Sequence, residues 1–479
     1  MIAQRLIPLS RVIAPLLLSI ALGCSEASPP LATAPDASAP LASHDIAPPG
    51  AIVLRGTVLT PEGAITHGYV GIVDGRIVSV SDRDPGIPGS VTVNTYGIIA
   101  PGLVDIHNHL PWNAMPRWTP GRMFNNRHEW RADSQYRQAI ADPFNRLVAA
   151  NRCDMNTWGE LRALVGGTTS AMETHPASCI HGLVRNLDLN SGFYGTTELD
   201  REHIVNVIDM PPASQPAARA GFAAAAQFFF INNPFYEALV IHAAEGTDAF
   251  SHEEFTFMLS QNLLNSKGAI IHGITLGPTD FTAMATAGSA LVWSPRSNLE
   301  LYGATANVGA ALDAGVDVAL APDWGITGSS NMLDELKVAS LWNQEHLAGR
   351  LSDRNLFDMV TIAPARIAGV EDEVGAIRVG LRADLLVITG NQTDPFGAFV
   401  TAAPGDVQLV LIEGIPLYGD KALMARFWDR SDLEELASPL SRKALASRAT
   451  GVSISDLTAR LGAAMQGEGM ALSALTERQ

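Results

Sequence analysis

The stretch "GIIAPGLVDIHNHLPW" closes an apolar run on two histidines, His107 and His109. Residues i and i+2 of a strand face the same way, so both imidazoles project to one side. Two imidazoles aimed at one point suit a metal better than an apolar core. Other apolar runs end in similar chemistry: "EALVIHAAE" on His242 and then Glu245, "GAIIHGITL" on His272, "GVDVALAPDW" on Asp323. A single His or Asp at a strand end is more often a hydrogen-bonded cap or loop residue. His107, His109, His242, His272 and Asp323 together, at successive strand ends in a regular repeat, point instead to a metal site.

The elements that must position these residues follow from the spacing. His242, His272, Ser294 and Asp323 fall 22 to 30 residues apart. That is the period of successive βα units in a parallel sheet. Each strand carries its chemistry at its C-terminal end, the face on which a TIM (β/α)8 barrel places its active site. The segment 98–368 is therefore expected to be an α/β barrel, although between "GGTTSAMETH" and His242 only "HIVNVIDM" reads as a strand. Short β-like runs with turn residues precede it ("AIVLRGTVLT", "YVGIVDG", "RIVSVSD") and follow it ("GAIRVGLRADLLVITG", "VQLVLIEGIPLYGD"). The flanks 51–97 and 369–420 are expected to form one small domain. Residues 421–479 are Ala- and Leu-rich and read as helical, for instance "SDLEELASPLSRKALASRA".

In these residues the chain resembles the amidohydrolase superfamily. "PGLVDIHNHL" is similar to its first strand, "GGTTS" to the second, "IHAAEGTD" to the fifth, "IIHG" to the sixth and "APDW" to the eighth. "GAIRVGLRADLLVI" resembles its β-sandwich segment, which implies that the small domain is a β-sandwich. "SPRSNLELYG" and "DWGITGSSNMLDELKVA" resemble the loops of the branch that includes cytosine, guanine and methylthioadenosine deaminases. The resemblance spans roughly residues 52 to 420. It implies that His107, His109, His242 and Asp323 hold one divalent metal ion, zinc foremost, with iron or another first-row metal suiting the same donors. Glu245 is then the proton shuttle, His272 hydrogen-bonds the attacking hydroxide or the developing oxyanion, and Asp323 also accepts a proton from the water. On a straight strand Glu245 would face away from His242, so this role requires a turn that Gly246 favours. Binuclear relatives bridge two metals with a carboxylated lysine on the fourth strand, and this chain has no lysine before Lys267. A mononuclear site follows; Glu173, with His175 nearby, is the alternative bridge. Cys179 and His181 have no assigned role.

The implied activity is hydrolysis of a non-peptide carbon–nitrogen bond in a small cyclic or heterocyclic substrate, as in a deaminase. The alternatives are an imidazolonepropionase-like ring hydrolase and a non-catalytic surface lipoprotein that kept the barrel. The loop "PWNAMPRWTPGRMFNNRHEW" reads either as a contact for an aromatic or anionic substrate or as a packed structural loop. With 479 residues, 47% of them hydrophobic, the chain can bury more than one core. Its formal charge of −17 repels phosphate backbones, so no nucleic-acid partner is expected. Arg5 and Arg11 accompany the apolar stretch "VIAPLLLSIALG", which has the makeup of an export signal. "IALGC" resembles a bacterial lipoprotein cleavage box, departing from it at Ala21. Residues 1–24 are thus expected to be a signal and 25–50 a flexible linker. The expected location is the periplasm or the outer membrane, with the membrane touched only through a lipid on Cys24 and no internal span. Cys153 and Cys179 could pair in an oxidising compartment. Self-association is left open.

Overall fold

The computed structural model describes residues 50–172, 183–187, 204–231, 236–437 and 439–476. The N-terminal flank supplies β1 (Ala51–Thr60), β2 (Gly63–Val73), β3 (Arg76–Ser81) and β4 (Val91–Pro101). The central segment supplies β5 (Leu103–Asp105), β6 (Thr168–Ala171), β7 (Arg185–Asn186), β8 (Ile204–Asp209), β9 (Tyr236–Ala243), β10 (Gly268–His272), β11 (Ala290–Trp293) and β12 (Val318–Leu320). After these come β13 (Leu385–Ile388), β14 (Val407–Ile412), β15 (Ile415–Asp420), β16 (Glu434–Glu435) and β17 (Lys443–Leu445).

The central strands form two all-parallel sheets, β5-β6-β7 and β12-β11-β10-β9-β8. β10 and β11 are short apolar runs, "AII" before His272 and "ALVW", fully buried as parallel strands covered on both faces require. Helices such as Ala249–Ser260 and Pro278–Ala287 make the return crossings. The first is capped by the Asp248 carboxylate accepting from the Ser251 amide; the second starts on Pro278 and stops at Gly288, whose φ of 76° suits glycine. The two sheets are stitched along one seam. The His109 amide donates to the Asp323 carbonyl at 2.8 Å, and the Asp323 amide donates to the His107 carbonyl at 3.1 Å. The segments after the first and last of these strands are thereby neighbours.

Both flanks meet in a single nine-stranded sheet of order β16-β17-β15-β14-β13-β4-β1-β2-β3. Its hinge is β4, parallel to β1 on one side and antiparallel to β13 on the other. A buried ion pair fastens it to the parallel strands: the Arg185 guanidinium on β7 grips the Asp384 carboxylate at 3.0 and 3.1 Å. The C-terminal region corrects the expectation of a helical segment. "SDLEELASPLSRKALASRA" contributes β16 and β17, which lengthen the sheet beyond β15. Pro439 interrupts any helix there. Leu436, Leu440, Ala444 and Leu445 are buried, and the Lys443 ammonium is held by the Val407 carbonyl and the Asp420 carboxylate. A true helix follows at Ile454–Gly467.

Among the described residues, no helix is long and apolar enough to cross a membrane. Cys24, Glu173, His175, Cys179 and His181 lie outside them, as do the signal and the linker up to residue 49. Cys153 is disulfide-bonded.

Candidate metal centre

The loop after β5 is fixed by its own polar side chains. The Asp105 carboxylate accepts from the His107 amide at 3.2 Å and from Asn108 Nδ2 at 2.7 Å. Asn108 in turn accepts from Asn113 at 2.8 Å. Burial pushes the Asp105 carboxyl up to about 7. On this frame His107 and His109 both point inward and are buried.

Four donors converge. His107 Nε2 lies 3.1 Å from His242 Nε2 and 3.3 Å from Asp323 Oδ1, and His109 Nε2 lies 3.4 Å from the same Asp323 oxygen. The other ring nitrogens face polar groups on neighbouring strands. His107 Nδ1 is 2.9 Å from Ser294 Oγ, just past β11, and His242 Nδ1 is 3.3 Å from Asp209 Oδ1, a close polar contact without hydrogen-bond geometry. Asp209 stands opposite His242 in the β8–β9 register. With Ser294 accepting, the hydrogen of His107 is on Nδ1 and its Nε2 keeps a lone pair. Both imidazoles are pushed well below 6.5, by burial first; the neighbouring histidines add to this, and at His242 the Asp209 carboxylate opposes it. The two Nε2 atoms meet at 3.1 Å beside a carboxylate oxygen, so the ring nitrogens and the carboxylate are presented to one point. The donor set therefore fits a divalent ion of borderline softness.

His272 sits beside this group, and its ring nitrogen falls within reach of the His107 and Asp323 donors as well. Its Nδ1 lies 2.8 Å from Asn298 Oδ1, which makes Nδ1 the hydrogen carrier and leaves Nε2 as an acceptor. His272 and Asp323 have φ of 72° and 67°, a left-handed conformation uncommon outside glycine that swings each side chain off its strand toward the centre.

Glu245 meets the requirement for a turn. Ala244 has φ 55° and Gly246 φ 144°, and a Cβ on Gly246 would collide with the Asn125 carbonyl oxygen. The chain folds back and Glu245 is buried beside the histidines. Its Oε1 accepts from the Tyr302 hydroxyl at 2.6 Å, and that hydroxyl accepts from Trp130 Nε1 at 2.7 Å. Burial and the Glu245 charge push the Tyr302 hydroxyl well above 10, so it remains a donor. Glu245 Oε2 has no hydrogen-bond partner and faces His272 Nε2 at 3.7 Å.

The centre opens on a cavity of about 490 Å³ walled by Trp112, Trp130, Tyr136 and Trp324, with Arg131 and Asp209 at its side. Trp130 and Trp324 are 5.5 Å apart between ring centroids, and Trp324 stands 5.9 Å from His109. The Trp- and Arg-rich loop serves both the cavity wall and the packing. Trp112 and Trp130 line the cavity, whereas buried Arg127 is structural, donating to the carbonyls of His242 and Met210 at 2.7 Å each. Asp209, Asn298 and Tyr302 were not singled out in the sequence. Asp209 ends the run "HIVNVID" as His242 ends its own, which is the pattern that would have marked it.

Residues 236–416 match the model of the amidohydrolase family. Over 412 residues the chain is 23% identical to a 5-methylthioadenosine/S-adenosylhomocysteine deaminase of Desulforudis audaxviator, covering 76% of this chain and 92% of that one. It is 27% identical to the guanine deaminase of Mus musculus over 177 residues, 36% of this chain and 39% of the mouse enzyme. Among solved structures, an adenosine deaminase from Xanthomonas campestris with bound zinc is similar in fold. That match has a TM-score of 0.59 at 18% identity, covering 88% of this chain and 99% of the other.

Proposed function

We propose that this chain is a mononuclear metal-dependent deaminase of a small heteroaromatic substrate, a reading supported by the match of residues 236–416 to the amidohydrolase family. The observation that carries this reading is the convergence of His107, His109, His242 and Asp323, with Glu245 and His272 beside them, on the wall of an aromatic cavity. In this reading β5 to β12 are the eight strands of a (β/α)8 barrel, and the nine-stranded sheet is the small domain built from both flanks.

A divalent ion held by the four donors supplies Lewis acidity, bringing the pKa of water toward about 7. The protein supplies the rest. The indoles of Trp130 and Trp324 orient a planar ring so that an sp² carbon bearing an amino group faces Asp323 and His272. One hydrogen of the attacking water is shared by Asp323 and His272 Nε2 and the other points to Glu245 Oε2, as the water's oxygen bonds to that carbon. Glu245 Oε2 takes the water's proton and delivers it to the exocyclic nitrogen. The carbon–nitrogen bond then breaks, and ammonia leaves as the ring keeps the oxygen. Tyr302 holds Glu245 Oε1, so that Oε2 alone does the shuttling.

Opening of a cyclic amide would use the same attack but release no ammonia. The discriminating experiment offers the metal-loaded protein a panel of aminated heterocycles and cyclic amides, reading ammonia and ring absorbance together. Ammonia from at least one aminated ring is expected; turnover of cyclic amides alone would replace deamination with ring opening. A non-catalytic role fits poorly with six ionisable or donor side chains buried around one point. For localisation we keep export to an oxidising compartment, which the disulfide at Cys153 supports. The anchor is then a lipid on Cys24, absent when Cys24 is replaced by Ala.

A further inference from the structure

The short helix Arg127–Ala132 carries two arginines one turn apart, on the same face. Each grips the ends of the neighbouring strands β8 and β9. Arg127 binds the carbonyls of Met210 and His242 and pairs with the Glu254 carboxylate at 2.8 Å. Arg131 binds a side chain, its guanidinium donating to Asp209 Oδ2 at 2.9 Å, while the other oxygen of that carboxylate faces His242 Nδ1 at 3.3 Å. The guanidinium also lies 5.2 Å from the ring centroid of Trp130, and Asp209, Arg131 and Trp130 all line the cavity.

We propose that Asp209 and Arg131 are positioning residues: Arg131 holds the Asp209 carboxylate against the outer edge of the His242 ring, and together they couple that ligand to the aromatic wall that receives substrate. The inference rests on the metal reading of the site. Neither residue is one of the four converging donors; Arg131 reaches His242 by way of the Asp209 carboxylate it holds. A carboxylate behind a histidine raises its basicity and removes its rotational freedom, and losing such a partner typically weakens metal binding 10–100-fold. The coupling has a structural route, because the helix that presents Trp130 to the cavity also presents Arg131 to Asp209.

The test measures zinc affinity of metal-free protein by chelator competition, with the thermal midpoint of the metal-free form recorded for each variant. Asp209→Asn is expected to weaken zinc by about 10–100-fold. Arg131→Gln, at a partly exposed position, is expected to weaken it by about tenfold, the low end of that range, with the metal-free midpoint unchanged. The double variant should be no weaker than Asp209→Asn alone, since Arg131 acts through Asp209. If Asp209→Asn does not fold, Arg131→Gln decides by itself. Wild-type affinity in Arg131→Gln, or additive losses in the double variant, would overturn the proposal while leaving the metal reading intact. A wild type that takes up no zinc would overturn both.

Discussion

Glu245 separates chemistry from metal binding. Its carboxylate is buried, one oxygen is committed to Tyr302, and the other faces His272 without touching the four converging donors. Glu245→Gln should therefore keep the fold and the metal, while turnover falls by about 10²–10⁴-fold, the usual worth of a general acid–base group. Metal content and rate measured on the same samples check this. A fully active variant, or one stripped of metal, would show that Glu245 has another role. The identities of His107, His109, His242, His272, Asp323 and Glu245 were all legible in the sequence, because each closes an apolar run. Their partners Ser294, Asp209 and Asn298 are reached across neighbouring strands. That contact is set by sheet register, which no local pattern displays.

At the scale of elements, the helix Asp142–Val165 holds the loop that carries the histidines. Gly159 lets the helix backbone approach the Leu110 carbonyl, where a Cβ would collide. One position on, Glu160 accepts from Asn156 at 2.5 Å and from the amides of Leu183 and Val184. Burial pushes its carboxyl from 4.5 up to about 7. The folded state thus holds this proton more tightly than the unfolded chain. The corresponding stability is complete below pH 4.5 and is lost as pH rises through about 7. Glu160→Gln should remove that part of the decline. Denaturation midpoints from about pH 5 to about pH 8 measure it, and identical pH slopes in both proteins would contradict it. The long β-runs of the small sheet and β9 to β12 were readable from their apolar runs. The pair β16–β17 was not, because a short edge strand in an Ala- and Leu-rich segment shows helical composition until β15 captures it.

The whole molecule is held by contacts that join distant parts of the chain. The nine-stranded sheet joins both flanks, and Arg185 on β7 meets Asp384 beside β13 with both side chains buried. Arg185→Met leaves the Asp384 charge buried without its partner, and about 3–5 kcal/mol of stability should be lost, read from the urea midpoint. A loss under about 1 kcal/mol would mean that the two parts are joined by apolar packing alone. The same long-range closure brings His107 and His109, His242 and Asp323 to one point from three widely separated segments. The most direct measurement is therefore a count of divalent metal per chain, by elemental analysis after reconstitution, in the wild type and in His242→Ala. One equivalent is expected in the wild type, with affinity in the variant lower by at least about 10–100-fold, so that little metal survives desalting. Two equivalents or none in the wild type, or undiminished metal in His242→Ala, would contradict a mononuclear centre built on these four donors.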